Sequence, residues 1–186
     1  MLRISLMALW LALAAAVPAG AGEAPLRVAV RTDFPPMEFM DRQGVLTGFS
    51  LDYLQAAGKA AGFRVEFIDR PWLVIFDGLL AGEYDIVASS VSITEERKKI
   101  MDFSLPYYKT SQTLVIRNGE EEDFTPELKG KRVGVQGRTT GAALVEGLPE
   151  ARAEVFFSVD EALTALARKE VDCVVCDEPT AVSHIS

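Results

Sequence analysis

The densest run of chemically useful side chains is Ser89-Ser90-Val91-Ser92-Ile93-Thr94-Glu95-Glu96-Arg97. Its serine hydroxyls can donate or accept, and Arg97 carries a rigid fork that matches a carboxylate with two parallel hydrogen bonds. Thr94 stands three residues before Arg97, the spacing of a helix cap. The run reads either as a site for a carboxylate or as a solvated, Ser-rich turn with surface charges, and the residues alone leave both open. Cys173 and Cys176 form C-x-x-C, but on an extended segment residues three apart face opposite sides. They read as buried apolar thiols, without redox chemistry or a bridge. With two cysteines and one histidine, His184, in the whole chain, no metal site and no cofactor are expected.

These side chains need elements to hold them. Leu26–Val30 alternates too little for a surface strand and reads as a buried one, ended by Pro35-Pro36. Arg42-Gln43-Gly44 reads as a turn between extended pieces at 39–41 and 45–48, and Ser50 as the cap of a helix stopped by Gly62. A strand at 63–68, a helix at 72–80 and a strand at 84–88 follow, which places the Ser/Arg run at the carboxyl end of a strand, where α/β ligand sites form. Beyond an acidic stretch at 119–123, read as a solvated loop, a second series begins. A strand at 113–116 precedes that stretch. After it come a strand at 132–136, a helix capped by Thr139-Thr140, and a strand at 155–157. A helix at 159–168 with Ser158 and Glu161 as a capping box and a strand at 171–176, flanked by Asp172, complete the series. The pattern is α/β in two units, and a cleft between two such units is a common place for a small ligand.

The composition narrows the partners. Nineteen basic against 27 acidic residues give a formal charge of −8, which argues against nucleic acid and anionic membrane surfaces. At the start, Arg3, an uncharged apolar run over 4–17 and the small residues Pro18-Ala19-Gly20-Ala21 read as a secretory signal over 1–21, cleaved after Ala21. A membrane span needs roughly 20 apolar residues, more than this run offers. No cysteine adjoins the cleavage site, so no lipid anchor is expected there.

Five segments then occur in order: Asp33-Phe34-Pro35-Pro36, Gly48-Phe49-Ser50-Leu51-Asp52, the Ser/Thr/Arg run, Asp102-Phe103-Ser104-Leu105-Pro106-Tyr107-Tyr108, and Gly134-Val135-Gln136 with Thr139-Thr140-Gly141. Together they resemble the extracellular solute-binding proteins of polar amino-acid ABC importers, bacterial family 3, from Leu26 to the end of the chain. The resemblance implies a periplasmic-binding-protein-like fold of type II, two lobes that close on a ligand. It divides the chain into a first lobe at 22–112, a hinge and linker at 113–123, and a second lobe at 124–186. It also implies a monomeric periplasmic protein without catalysis, whose partners are an amino acid and the membrane permease of an ABC transporter.

By position, Arg97 resembles the residue that grips the ligand α-carboxylate. Ser90 and Ser92 resemble the hydroxyl and backbone contacts beside it, and Thr140 the second-lobe residue whose N–H reaches the same group. Asp177 resembles the acceptor for the α-ammonium, although Glu178-Pro179 also suits it to capping a helix. Phe34 and Trp72 match aromatic positions flanking the ligand side chain, or else they pack in the core. A zwitterion needs a cation at one end and an anion at the other, and Arg97 with Asp177 would supply both only on closure. Arg31 stands where relatives that take cationic ligands carry an acid. It favours a glutamate- or aspartate-like ligand, unless it points to solvent or pairs with Asp33.

Family members continue beyond the Asp177 segment, so the fold is expected to be incomplete at the C-terminus, with apolar surface left uncovered. The competing readings are an enzymatic relative of the same fold, a dehydratase or a lytic-transglycosylase-associated module, and a sensory input domain.

Overall fold

The computed structural model describes residues 24–120 and 124–185. The segment at 1–21 read as a secretory signal and the acidic residues 121–123 lie outside the described residues. β1 (Leu26–Val30) runs parallel to β5 (Val65–Asp69) on one side and β6 (Ile86–Val87) on the other. Val28, Ala29 and Val30 have no exposure, because both faces of the strand are covered. Val28 and Val30 pack with Leu51 of α1 (Phe49–Ala61), while Ala29 faces Trp72 and the residues Ile75 and Phe76 of α2 (Ile75–Leu80). Three consecutive apolar residues, Val28-Ala29-Val30, suit burial on two faces, whereas Arg27 at the start of the strand reaches out to Asp85.

Between β1 and α1 lies a small antiparallel sheet, β2 (Asp33–Phe34), β3 (Glu38–Met40) and β4 (Leu46–Thr47). Its β3–β4 turn is tied by Asp41, whose Oδ1 accepts from the N–H groups of Gln43 and Val45, both at 2.8 Å. The start of α1 differs from the sequence expectation. Gly48 occupies the cap position at φ 131°, and a Cβ there would lie 2.3 Å from the Met37 carbonyl oxygen. That close crossing sets the helix start, so Ser50 falls inside the first turn, buried, and caps nothing.

The expected helix at 72–80 is a 3-10 turn, Trp72–Val74, leading into α2. The strand expected at 84–88 shortens to β6, because Tyr84 turns inward and its hydroxyl donates to the Ile75 carbonyl at 2.5 Å. α3 (Glu95–Lys98) follows the Ser-rich loop.

The second sheet has the order β7-β10-β8-β9: β7 (Gln112–Val115), β10 (Cys173–Asp177), β8 (Arg132–Gln136) and β9 (Arg152–Phe156). β7 is antiparallel to β10 and the other pairings are parallel. Cys173 and Val175 pack with Ala142 and Val145 of α4 (Thr140–Glu146), whereas Val174 and Cys176 pack with Ala162 and Leu166 of α5 (Val159–Ala167). The two free thiols thus lie on opposite faces, and burial pushes each up to about 11. Asp177, expected just beyond the strand, is its last residue, followed directly by α6 (Glu178–Ile185). Ser158 caps α5 by accepting from Glu161 N–H at 3.2 Å, while the Glu161 carboxylate accepts from Phe157 N–H at 3.0 Å. The reciprocal half reaches one residue further back than a capping box.

Candidate functional site

Two loops and two strand ends meet where the sheets face each other. The Ser-rich loop leaves β6 and ends at Thr94, whose Oγ1 accepts from Arg97 N–H at 3.2 Å. That cap points the Arg97 side chain back along the loop, where Nη1 donates to the Ser92 carbonyl at 2.9 Å. Its Nη2 crosses to the other half of the molecule and donates to the Arg138 carbonyl at 3.0 Å. The guanidinium lies 5.6 Å from the Trp72 ring centre and 5.1 Å from that of Phe76. Burial among these rings lowers the Arg97 pKa, and the Asp177 charge opposes that shift.

Asp177 reaches the same space from β10. Its Oδ1 accepts from Gln112 Nε2 at 2.6 Å, and the same amide donates to Thr140 Oγ1 at 3.1 Å. Burial raises the Asp177 pKa, while Gln112 and then Arg31 and Arg97 lower it. Thr139 caps α4 by accepting from Ala142 N–H at 3.1 Å, leaving Thr140 as the first helical residue at the rim.

Arg31 is buried, 4% exposed, and fully engaged on two of its nitrogens. Nε donates to Asp33 Oδ1 at 2.6 Å and Nη1 to Gln136 Oε1 at 3.0 Å. Of the readings open for it, pairing with Asp33 is the one observed, and pointing to solvent is not. Its guanidinium lies 4.7 Å from the Phe34 ring centre and 5.7 Å from that of Trp72. Both rings are almost wholly buried, yet both still line the cleft.

The structure brings Arg31, Phe34, Trp72, Ser90, Ser92, Arg97, Thr140 and Asp177 around one small cavity, together with Ser89 and Thr139. Its volume is about 20 Å³, room for about one water molecule. The lobes are shut against each other by direct contacts. Besides the Arg31 and Arg97 bonds, Trp72 Nε1 donates to the Gly137 carbonyl at 3.0 Å. Arg138 pairs with Asp77 at 2.9 Å and also donates to the Leu73 carbonyl. Sequence reasoning did not assign Gln112, Gln136, Arg138 or Asp77 to the cleft. Gln136 lay inside a recognised segment, and Arg138 sits at φ 60° in the strand-to-helix turn beside it. Nothing local marks Gln112 or Asp77.

A second, much larger cavity of about 860 Å³ adjoins the first, sharing Phe34, Ser90, Ser92 and Asp177. Its walls are mostly apolar, with Leu79, Ile86, Val87, Ile100 and Phe103 among them, and Leu105 at its rim is 88% exposed. Among the described residues no group of histidine, cysteine, aspartate and glutamate could hold a metal ion, and no helix is long and apolar enough to cross a membrane.

Residues 26–172 match the family model for bacterial extracellular solute-binding proteins, family 3. The chain belongs to this family. A probable histidine-binding protein of Neisseria gonorrhoeae is 34% identical over 175 residues, covering 92% of this chain and 65% of the relative. Among solved structures, an ancestral arginine-binding protein bound to arginine superposes with a TM-score of 0.81 at 36% identity, covering 87% of this chain and 73% of that one. An ancestral amino-acid-binding protein, a precursor of cyclohexadienyl dehydratase, gives a TM-score of 0.80 at 34% identity, covering 87% and 73%. The two-lobed type II fold is therefore that of the family, and the chain spans slightly less than two thirds of the Neisseria relative's length.

Proposed function

We propose that this protein binds a polar L-α-amino acid between its two lobes and delivers it, outside the cytoplasm, to the permease of an ABC importer. One observation carries the reading. Arg97 and Asp177, both half-buried and opposite in charge, face one cavity from different lobes and each shifts the other's ionisation. A zwitterion satisfies both ends at once, whereas a ligand with only one charge leaves the other desolvated and unpaired. Histidine, arginine and other amino acids named for relatives and neighbours share this pair of charges.

The side-chain end is read from Arg31. Its Nη2 has no hydrogen-bond partner among the described residues, although Nε and Nη1 are committed. Because Asp33 already pairs with Arg31, the ligand side chain meets no free cation there, and the remaining Nη2 donor suits a side chain bearing an acceptor oxygen, acidic or neutral polar. A second reading, an enzyme on the same fold, draws on the likeness to the dehydratase precursor.

Calorimetry with L-glutamate, L-aspartate, L-arginine, L-histidine and the corresponding α-amides tests the proposal. Tight binding of a free amino acid with at least about tenfold weaker binding of its α-amide supports the Arg97 role. Equal affinity for the two removes it, and best binding of arginine would place Arg31 outside the selectivity. Chemical change of the bound ligand on incubation would favour the enzymatic reading.

A further inference from the structure

Glu38 on β3 is fully buried, with 0% exposure, immediately behind the Ser-rich loop. Its Oε2 accepts a hydrogen bond from Ser90 Oγ at 2.9 Å, and its Oε1 has no partner among the described residues. Ser90 is held at φ 51°, uncommon for a residue with a side chain, and lines the cleft together with Arg97 and Asp177. The groups facing Glu38 are Ser50 from α1, Ser89 and Ser90 from the loop, Arg31 from β1, and Tyr107 from the segment before β7. Arg31 is the only full charge among them, and it is already paired with Asp33.

We infer that Glu38 is a positioning residue for the ligand's ammonium end: by accepting the Ser90 O–H hydrogen bond it turns the hydroxyl's lone pairs toward the cleft. A serine hydroxyl has one proton and two lone pairs. With that proton committed to Glu38, Ser90 can only accept from a ligand, which assigns its side chain to the ammonium beside Asp177 rather than to the carboxylate. The assignment rests on the reading of the cleft as an amino-acid site.

The positioning depends on the carboxylate form, because a protonated Glu38 can donate to Ser90 and free the hydroxyl to donate elsewhere. Burial pushes Glu38 up to about 8, against the opposing influence of the neighbouring Ser50, Ser90 and Ser89 hydroxyls and the Arg31 charge. A ligand ammonium at Ser90 favours the ionised acid, so binding releases protons and tightens as pH rises through that range. A fall of one unit in the Glu38 pKa on binding corresponds to about a tenfold gain in affinity across the window.

Two measurements on the full chain test this. The first is L-glutamate and L-arginine calorimetry at pH 7 and pH 9, in two buffers of different ionisation heat. Glu38→Gln and Ser90→Ala are both expected to lose the proton release and the rise in affinity with pH, and Ser90→Ala, which removes a ligand contact, is also expected to bind more weakly at pH 7. The ligand's own ammonium titration is common to all three proteins and cancels in the comparison. The second needs no ligand. Infrared spectroscopy follows the protonated carboxyl band of Glu38, absent in Glu38→Gln, whose midpoint should move up in Ser90→Ala because the ionised form loses a donor. An unchanged midpoint in Ser90→Ala, or an unchanged pH rise in Glu38→Gln, overturns the inference. Failure of the wild type to bind any amino acid, with the midpoint shift present, overturns the amino-acid reading and the ammonium assignment while leaving the Glu38–Ser90 coupling in place.

Discussion

At the residue scale, the cleft is a set of charges that are expensive to bury singly. Arg97 donates to the Ser92 carbonyl on one side and the Arg138 carbonyl on the other, and it lines the cavity between them. Arg97→Ala should weaken amino-acid binding by about 30-fold or more, since truncating one partner of a desolvated charge pair costs roughly 2–5 kcal/mol. Arg97→Lys should recover only part of it, because an ammonium cannot reproduce the two-pronged geometry. Arg31→Ala should lower glutamate affinity and raise arginine affinity, read in the same calorimeter; an unchanged ratio would show that Arg31 does not select the side chain.

Glu38 also leaves a signature in stability. Its folded pKa, about 8, lies above the ordinary carboxyl value, so the folded state holds a proton that the unfolded state has lost. Stability should therefore fall as pH rises from about 4.5 toward 8, and the slope should flatten in Glu38→Gln when urea midpoints are compared. A wild-type midpoint that stays level across this range would show that Glu38 ionises freely.

At the element scale, caps and one glycine set where side chains point. Gly48 permits β3 and α1 to cross within contact distance, and this crossing buries both Glu38 and Ser50. Gly48→Ala puts a Cβ into the Met37 carbonyl and strains a left-handed φ, so it should cost about 1–3 kcal/mol or more by chemical denaturation. Thr94 and Thr139 serve two short helices on opposite sides of the cleft. Thr139→Ala should cost about 1 kcal/mol of stability, the usual size of a lost cap, and should loosen Thr140 at the rim.

At the scale of the whole molecule, the shut cleft rests on few bonds. Arg138 to Asp77 and to Leu73, Trp72 to Gly137, and Arg31 to Gln136 join the lobes directly. The cavity between Arg97 and Thr140 measures about 20 Å³, so an amino acid held by these residues would have to replace some of these contacts. Arg138→Ala should shift the free protein toward the open form, seen as a larger radius of gyration in X-ray scattering, with amino acid restoring the compact value. An identical radius in variant and wild type would mean that other contacts hold the lobes.

Much of this protein is set by local sequence. The consecutive apolar residues Val28-Ala29-Val30 of β1 pointed to a strand buried on both faces, because neither of their two faces offers polar groups to water. Thr94, Thr139 and Ser158 marked their helices because a side-chain oxygen there meets an otherwise unpaired N–H. The Ser/Arg run and Asp177 were legible as opposite charges at strand ends, together with their resemblance to a known family. Tertiary structure decided what no local pattern encodes. Arg31 meets Gln136 across 105 positions of chain, and its pairing with Asp33 turns an apparent free cation into a bridge. Ser50 loses its capping role to Gly48 because Met37 passes above the helix start. Glu38 looks in sequence like any surface acid, and only the walls folded around it withdraw it from water and favour its protonated form, against the neighbouring hydroxyls. Such properties belong to the surroundings of a side chain, and surroundings form only when distant segments pack.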